Sequence, residues 1–218
     1  MEFTRARFEY TQQYTRDVFG QQDAHLAGLM DEARAEGMPD IAVSPDVGRF
    51  LQLMVATTEG KLAIELGTLA GYSGIWLARG LKPGGKLISV ELSEHHAAFA
   101  EKQFARAHVD DRVRVRRGAA LDVLPQLAQE LGPESVDVLF FDAIKREYPQ
   151  YWAIAKPLLK RGGMLLADNV LGASWWIDQV GDSARDIVDG FNRAVASDAD
   201  FDVSCVPLRE GVLVARRR

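Results

Sequence analysis

The chain has 218 residues, of which 47% are hydrophobic and 26% charged, a composition typical of one folded globular domain and not of a disordered or fibrous chain. Acidic residues outnumber basic ones by 31 to 26, the basic cluster lies at the tail 216–218, and no apolar run is long enough to span a membrane, so we expect neither nucleic acid nor a membrane as a partner. Cys205 is the single cysteine and the polar N-terminus lacks the apolar core of a secretory signal, so we expect a cytoplasmic protein.

The first sixty residues are predicted to be helical. Apolar residues recur three or four apart, as in Leu26, Leu29 and Met30, and again between 47 and 55. A Gly-Met-Pro break at 37–39 separates the two patterns. Ser44 is a plausible N-cap for the second pattern because Pro45 follows at the first helical position.

After residue 60 short apolar runs alternate with amphipathic stretches, which is the rhythm of strands and helices in an α/β domain. The predicted strands are 62–66, 86–92, 113–117, 136–143 and 162–169, followed by 201–208 and 211–217. The predicted helices between them are 71–81, 96–107, 121–131, 148–159 and 184–196. Only two residues separate the last two strands, so they form an antiparallel hairpin. We predict one domain over 1–218, with a helical extension (1–60) and an α/β core (61–218) whose sheet is mostly parallel, with helices on both faces.

The end of the first strand has the features of a ligand loop. Gly67 and Gly71 let backbone approach a ligand, and the following helix directs free N–H groups toward it. Glu91 ends the second strand about twenty residues later, the position from which a carboxylate accepts hydrogen bonds from ribose. Glu65 precedes the loop, where it would repel a diphosphate and attract an ammonium group, and the G-x-G-x-x-G fingerprint is missing. These features favour a cationic nucleoside such as S-adenosylmethionine, although a tight turn and a solvated cap would use the same residues.

Oxygen-bearing side chains end two later strands. Asp142 follows the fourth strand, and Asp168 and Asn169 follow the fifth. Two carboxylates and an amide oxygen form a hard donor set suited to Mg²⁺, Mn²⁺ or Ca²⁺. Taken singly, each residue is equally typical of a turn or a helix N-cap.

Together these motifs resemble a known family. The runs IELGTLAGYSG, VEL and RGAALDVLP, with the strand ends FDAIK and ADN, resemble cation-dependent class I S-adenosylmethionine O-methyltransferases of the catechol and caffeoyl-CoA type, in their bacterial form. The resemblance runs from about Val43 to the C-terminus and implies a Rossmann-like fold. It implies methyl transfer to one hydroxyl of a vicinal dihydroxy-aromatic, which is a catechol, caffeoyl or polyketide-type phenol.

The resemblance also implies roles for individual residues. Lys145 is the general base and, with Asp142, forms the catalytic pair, and Asp142, Asp168 and Asn169 are the metal ligands. Ile144 departs from the family, because mammalian catechol enzymes have a tryptophan there over the adenine. The implied cofactor contacts are Val43, Glu65, Gly67, Thr68, Gly71, Tyr72, Ser73, Glu91, Leu92, Ala119, Ala120 and Asp142.

The acceptor pocket is less well defined by sequence. Trp175 and Trp176 follow the ADN strand end in a loop that could close over an aromatic acceptor, although a tryptophan pair equally suits packing or a dimer contact. Further candidates for lining the pocket, besides Lys145, are Met38, Ile41, Arg209 and Glu210. The four histidines show no metal-ligand spacing and are assigned no role.

Two other functions remain open at this point. One is a metal-independent methyltransferase acting on nitrogen or on a lone hydroxyl, and the other is a catalytically silent cofactor-binding scaffold. Retention of both Asp142 and Lys145 argues against the scaffold, which needs neither. The aromatic residues of the N-terminal stretch suit either a cover over the active site or a contact with a second subunit, and the resemblance to bacterial relatives favours a homodimer.

Overall fold

The computed structural model describes residues 4–172 and 183–218. Its helices are α1 (Arg5–Phe19), α2 (Ala24–Ala35), α3 (Pro45–Ala56), α4 (Tyr72–Gly80), α5 (Glu94–Arg106), α6 (Ala120–Leu131), α7 (Tyr148–Ala155) and α8 (Ser183–Ala196), with 3-10 turns at Lys145–Glu147 and Lys156–Leu158. Its strands are β1 (Leu62–Leu66), β2 (Lys86–Glu91), β3 (Val113–Arg117), β4 (Val136–Phe141), β5 (Leu159–Ala167), β6 (Phe201–Val206) and β7 (Val212–Arg217). Within this described part, no helix combines the length and apolarity needed to cross a bilayer.

The strands form one sheet in the order β3-β2-β1-β4-β5-β7-β6. The first five are parallel to their neighbours, and β7 is antiparallel to both β5 and β6. The predicted fold class is therefore confirmed. From β1 the chain continues to β2 and β3 on one side of the sheet, whereas from β4 it continues to β5 on the other side. The connections therefore diverge between β1 and β4, and a ligand crevice is expected at the carboxyl ends of these strands.

Both faces of the sheet are covered by helices. Successive residues of β4 alternate between two cores: Val138 and Phe140 pack with the helices α2 to α5, whereas Leu139 and Phe141 pack with α6, α7 and α8. All six residues of β4 are buried. This double burial explains why the strand has apolar residues without alternation.

The start of α3 differs in detail from the prediction. Ser44 occupies the N-cap position and Pro45 begins the helix, but the Ser44 hydroxyl caps no backbone N–H. It donates instead to Asp46 Oδ1 at 2.5 Å, while the Thr15 hydroxyl donates to Asp46 Oδ2 at 3.0 Å. The buried Asp46 thus ties α1 to α3, a tertiary contact that outcompetes the local cap.

The prediction for the segment 148–169 was wrong at its internal boundary. The helix ends at Ala155, a 3-10 turn follows, and β5 begins at Leu159, three residues before the predicted strand. Pro157 lacks the N–H that a continuing helix requires. Leu159 pairs with Val136, and an irregularity between Val136 and Val138 absorbs the extra length before regular pairing resumes at Met164.

Candidate active site

A cavity of about 600 Å³ lies at the carboxyl ends of the parallel strands. Most of the predicted site residues line it. From the predicted cofactor set these are Val43, Gly67, Thr68, Tyr72, Ser73, Glu91, Leu92, Ala119, Ala120 and Asp142, and from the predicted catalytic, metal and acceptor sets Lys145, Asn169, Ile41, Arg209 and Glu210.

The loop after β1 can adopt its path only because of its glycines. Gly67 has φ of +99°, and a Cβ there would lie 2.7 Å from the Asp142 carbonyl oxygen, so the loop rests directly on the tip of β4. Gly71 has φ of +85°, precedes α4 and packs against Phe104. Gly71 therefore shapes the turn and is not among the cavity-lining residues.

Glu91 is held firmly at the end of β2. Its Oε2 accepts hydrogen bonds from the N–H groups of Thr68 at 3.1 Å and Leu69 at 2.8 Å, and its Oε1 accepts from Ser93 N–H at 2.9 Å. His96 Nδ1 lies 3.5 Å from Oε1. The carboxylate therefore fixes the ligand loop while facing the cavity, where it can still accept hydrogen bonds from the hydroxyls of a ribose.

Glu65 lies behind the cavity wall. It is fully buried and is not among the lining residues. Its carboxyl oxygens accept hydrogen bonds from the hydroxyls of Ser73 and Ser89, each at 2.5 Å. Burial raises the pKa of Glu65 to about 8, although both serine hydrogen bonds oppose the increase. A direct contact between Glu65 and the cofactor stays a prediction. The structure shows that Glu65 contacts Ser73, and that Ser73 lines the cavity.

Replacement of Glu65 by glutamine should change how stability depends on pH. The folded pKa of Glu65 lies above its ordinary 4.5, so its contribution to stability is complete below that value and is lost as pH rises through 8. Between pH 5 and 8 we expect the wild-type free energy of unfolding to fall relative to Glu65→Gln by on the order of 3 to 5 kcal/mol. Urea denaturation without divalent cations measures this difference.

The exposed Glu59 provides the control for this experiment, because its side chain is 74% exposed and far less desolvated. Glu59→Gln should follow the wild-type pH dependence. Parallel curves for wild type and Glu65→Gln would show that Glu65 titrates in the folded protein as it does in the unfolded chain.

The tips of β4 and β5 place two carboxylates side by side. Phe141 pairs with Ala167, so Asp142 and Asp168 follow at the same level of neighbouring strands. The Tyr148 hydroxyl lies 2.8 Å from the Phe141 carbonyl oxygen and 3.1 Å from the Asp168 carbonyl oxygen, which joins the two tips. Burial raises the pKa of Asp168, and the negative charge of Asp142 raises it further.

The donor set fits a hard cation. Asp168 is 1% exposed, does not line the cavity surface, and its buried Oδ1 has no hydrogen-bond partner among the described residues. Such an oxygen is costly to bury unless a cation or a donor meets it. Asn169 has φ of +59° and its amide N–H donates to Glu210 Oε2 at 3.3 Å, which leaves the amide oxygen as an acceptor. Across residues 4–172 and 183–218 no group of three or more His, Cys, Asp or Glu residues is arranged to hold a metal ion. The predicted donor set differs from such a group, because it has two carboxylates and one amide.

Lys145 contacts Asp142 directly. Its Nζ lies 2.5 Å from Asp142 Oδ1 and 5.4 Å from the centre of the Tyr148 ring. Burial raises the pKa of Asp142, and the nearby Lys145 and Arg209 oppose that increase. Arg209 pairs with Glu210 at 2.9 Å and donates to the Ala42 carbonyl oxygen at 2.8 Å, so the β6–β7 turn is tied to the segment before α3.

Two predictions for the acceptor pocket have different outcomes. Met38 is 4% exposed and packs in the core beside α2 to α5, and it is not among the cavity-lining residues. Its place in the Gly-Met-Pro break indicated a loop, but its side chain turns inward. Trp175 and Trp176 lie outside the described residues.

Among the lining residues that were not predicted, three have polar or titratable side chains: His96, Glu147 and Tyr151. His96 is five residues past Glu91, in the first turns of α5, and this spacing could have indicated it. Glu147 and Tyr151 are four apart around the start of α7, and their convergence on the cavity depends on the packing of α7 beside α6. No local pattern reports that packing.

An open α/β sheet with a carboxylate-clamped glycine loop and a lysine beside strand-end carboxylates is the arrangement that the resemblance to class I S-adenosylmethionine-dependent methyltransferases implies. Comparisons with known proteins agree. The family model described as O-methyltransferase matches residues 17–218, and the chain belongs to this family. The catechol O-methyltransferase of Niastella koreensis is 38% identical over 204 residues, covering 92% of this chain and 91% of that protein. The catechol O-methyltransferase of Mycobacterium tuberculosis is 42% identical over 151 residues, covering 68% and 66%.

Solved structures are similar over nearly the whole chain. The O-methyltransferase from Bacillus cereus in complex with SAH has a TM-score of 0.85 at 34% identity and covers 96% of this chain and 97% of its own. TomG from Streptomyces achromogenes, an O-methyltransferase of tomaymycin synthesis in complex with SAM, has a TM-score of 0.84 at 29% identity and covers 99% of both chains. The protein is thus an S-adenosylmethionine-dependent O-methyltransferase resembling bacterial catechol O-methyltransferases.

Proposed function

We propose that the enzyme methylates one hydroxyl of a vicinal dihydroxy-aromatic with the help of a divalent cation, Mg²⁺ or else Mn²⁺ or Ca²⁺, held by Asp142, Asp168 and Asn169. The observation that carries the proposal is the buried Asp168 Oδ1, which no group in 4–172 or 183–218 meets with a hydrogen bond. Asp168 follows β5, and the neighbouring strand β4 leads into Asp142, which contacts Lys145. The catechol O-methyltransferases among the similar proteins support the substrate class.

The chemistry requires an oxygen nucleophile close to an anion, since a phenol has a pKa near 10. S-adenosylmethionine supplies the methyl group, and a bound cation would act as a Lewis acid that orients two neighbouring oxygens. As the neutral amine, Lys145 Nζ would accept the proton of the attacking hydroxyl and become the ammonium. Ile41 and the Arg209–Glu210 pair lie on the rim of the same cavity, where they limit the space around the acceptor.

A substrate panel tests the proposal. The wild-type enzyme, with S-adenosylmethionine and Mg²⁺, should methylate catechol and caffeate, and only weakly methylate phenols in which one of the two hydroxyls is missing. A monophenol or an amine methylated as fast as catechol would instead favour a metal-independent enzyme. Cofactor binding without turnover across the panel would favour a silent scaffold.

We also infer a homodimer formed through α1. This helix has no buried residue, and the exposed Tyr10, Tyr14 and Phe19 form a contiguous aromatic patch, with ring centres 6.5 and 6.4 Å apart. Aromatic residues are enriched in interface cores, and a twofold dimer pairs the same patch of two copies. A second copy is therefore the proposed occupant.

Sedimentation velocity at micromolar concentration should give a dimer for the wild type and a monomer for a variant with both Tyr10→Glu and Tyr14→Lys. A double substitution of the exposed Glu59 and Lys102 should leave the dimer intact. A wild-type monomer would rule out this use of α1.

The lone Cys205 supports our further expectation of a cytoplasmic location.

A further inference from the structure

The cavity has an apolar end beyond Glu91. Leu92, Ala119, Ala120 and Ile144 are among its lining residues, and Leu92 and Ile144 are 67% and 51% exposed. Apolar side chains that line a cavity suit a flat aromatic ring. When a ribose occupies the position in front of Glu91, this end receives the base of the nucleoside.

A carboxylate lies at the edge of this apolar end. Glu147 lines the cavity, and the Tyr151 hydroxyl donates to its Oε2 at 2.5 Å. The backbone N–H of Glu147 donates to the Ile144 carbonyl oxygen at 2.9 Å, which connects Glu147 to the wall of the apolar end. Among the described residues no group donates to Glu147 Oε1, so one acceptor oxygen remains for a ligand.

We propose that Glu147, oriented by Tyr151, accepts a hydrogen bond from the exocyclic amino group of adenine and thereby selects the base of the cofactor. The side chains of Ala119 and Ala120 cannot form a hydrogen bond with a base, so another side chain has to recognise the adenine amino group. His96 also lines the cavity, but its Nδ1 lies 3.5 Å from Glu91 Oε1, on the ribose side.

Complementarity of donors and acceptors supports the proposal. The edge of adenine presents an amino donor beside a ring-nitrogen acceptor. Ala119 and Ala120, at the start of α6, line the same cavity as Glu147, and Ala119 provides no side-chain cap, so the N–H groups of Ala120 and Leu121 are available as donors to the base. Hypoxanthine has a carbonyl oxygen in place of the amino group, and that oxygen would face the Glu147 carboxylate and repel it.

Binding calorimetry with two nucleosides tests the inference. S-adenosylhomocysteine should bind to the wild-type enzyme about tenfold to hundredfold more tightly than S-inosylhomocysteine, the ratio expected for one hydrogen bond to a charged group. In Glu147→Gln the amide can donate as well as accept, so the ratio should fall to within about threefold. Binding of the inosine compound should be retained or improved, which shows that the cavity of the variant is intact.

Glu130→Gln serves as the matched control, because Glu130 lies on α6 and pairs with Arg116 at 2.8 Å outside the cavity. It should keep the wild-type ratio. Equal affinities of the wild type for both compounds, or an unchanged ratio in Glu147→Gln, overturn the inference. The inference extends the proposed function to the base of the cofactor, but it is measured without acceptor or metal, so failure of the catechol assay does not affect its outcome.

Discussion

Replacement of Lys145 by methionine should lower kcat/KM for methyl transfer to catechol by about 10²- to 10⁴-fold, the range for loss of a general base. Methionine keeps most of the side-chain volume and cannot accept a proton. Lys145 Nζ lies 2.5 Å from Asp142 Oδ1, and the side chain lines the cavity where the acceptor is proposed to bind. Affinity for S-adenosylhomocysteine, measured by calorimetry, should change by less than about threefold because the cofactor contacts are retained.

Lys145→Arg distinguishes a base from a counter-ion. Arginine keeps the positive charge beside Asp142 but remains protonated at any accessible pH. We therefore expect Lys145→Arg to be nearly as impaired as Lys145→Met, and Lys102→Met, at an exposed position of α5, to be fully active. Substantial activity in Lys145→Arg would mean that Lys145 contributes charge and not proton transfer.

The sheet could be predicted from sequence because its signals are local. The apolar runs VLFF and MLLA, which lack alternation, identified β4 and β5 as strands buried on both faces, and the two-residue gap at 209–210 identified the hairpin. The tips of parallel strands lie at one edge of a sheet, so the amino-acid sequence alone was enough to assign the residues that follow them to one site. The start of β5 was wrong because its first pairing depends on an irregularity in β4, which is a tertiary feature.

The orientation of individual side chains was harder to predict. The position of Glu65 before the loop suggested a cofactor contact, but the hydroxyls of Ser73 and Ser89 hold it behind the cavity wall. The loop position of Met38 suggested the pocket, but its side chain packs inward. Glu147 lines the cavity and accepts a hydrogen bond from the Tyr151 hydroxyl of α7. Neither residue belongs to a sequence motif that would indicate this contact. Sequence thus indicated which strand ends form the site, while packing decided which side chains face it.

Removal of divalent cations with EDTA should abolish methyl transfer, and Asp168→Asn should lower kcat/KM at least about 10²-fold, because Lewis-acid stabilisation contributes several kcal/mol. Asparagine has the same shape as aspartate and lacks its charge. Since no described residue donates to the buried Asp168 Oδ1, the substitution removes a carboxyl group whose charged form is disfavoured by burial and by the charge of Asp142. The cation-free variant should therefore be at least as stable as the cation-free wild type, although it is less active.

Thermal unfolding provides a second readout that does not depend on turnover. A ligand that binds only the folded state at about 100 times its Kd stabilises that state by about 2.7 kcal/mol, so saturating Mg²⁺ should raise the wild-type Tm and barely change that of Asp168→Asn. Asp137→Asn is the matched control: Asp137 is 2% exposed but accepts hydrogen bonds from Lys61 N–H, Leu62 N–H and Lys160 at the opposite edge of the sheet. It should lower stability yet keep the Mg²⁺ response. Full activity in EDTA, with equal Mg²⁺ responses of wild type and Asp168→Asn, would falsify the cation site, and a donor other than a metal would then have to satisfy the buried Asp168 oxygen.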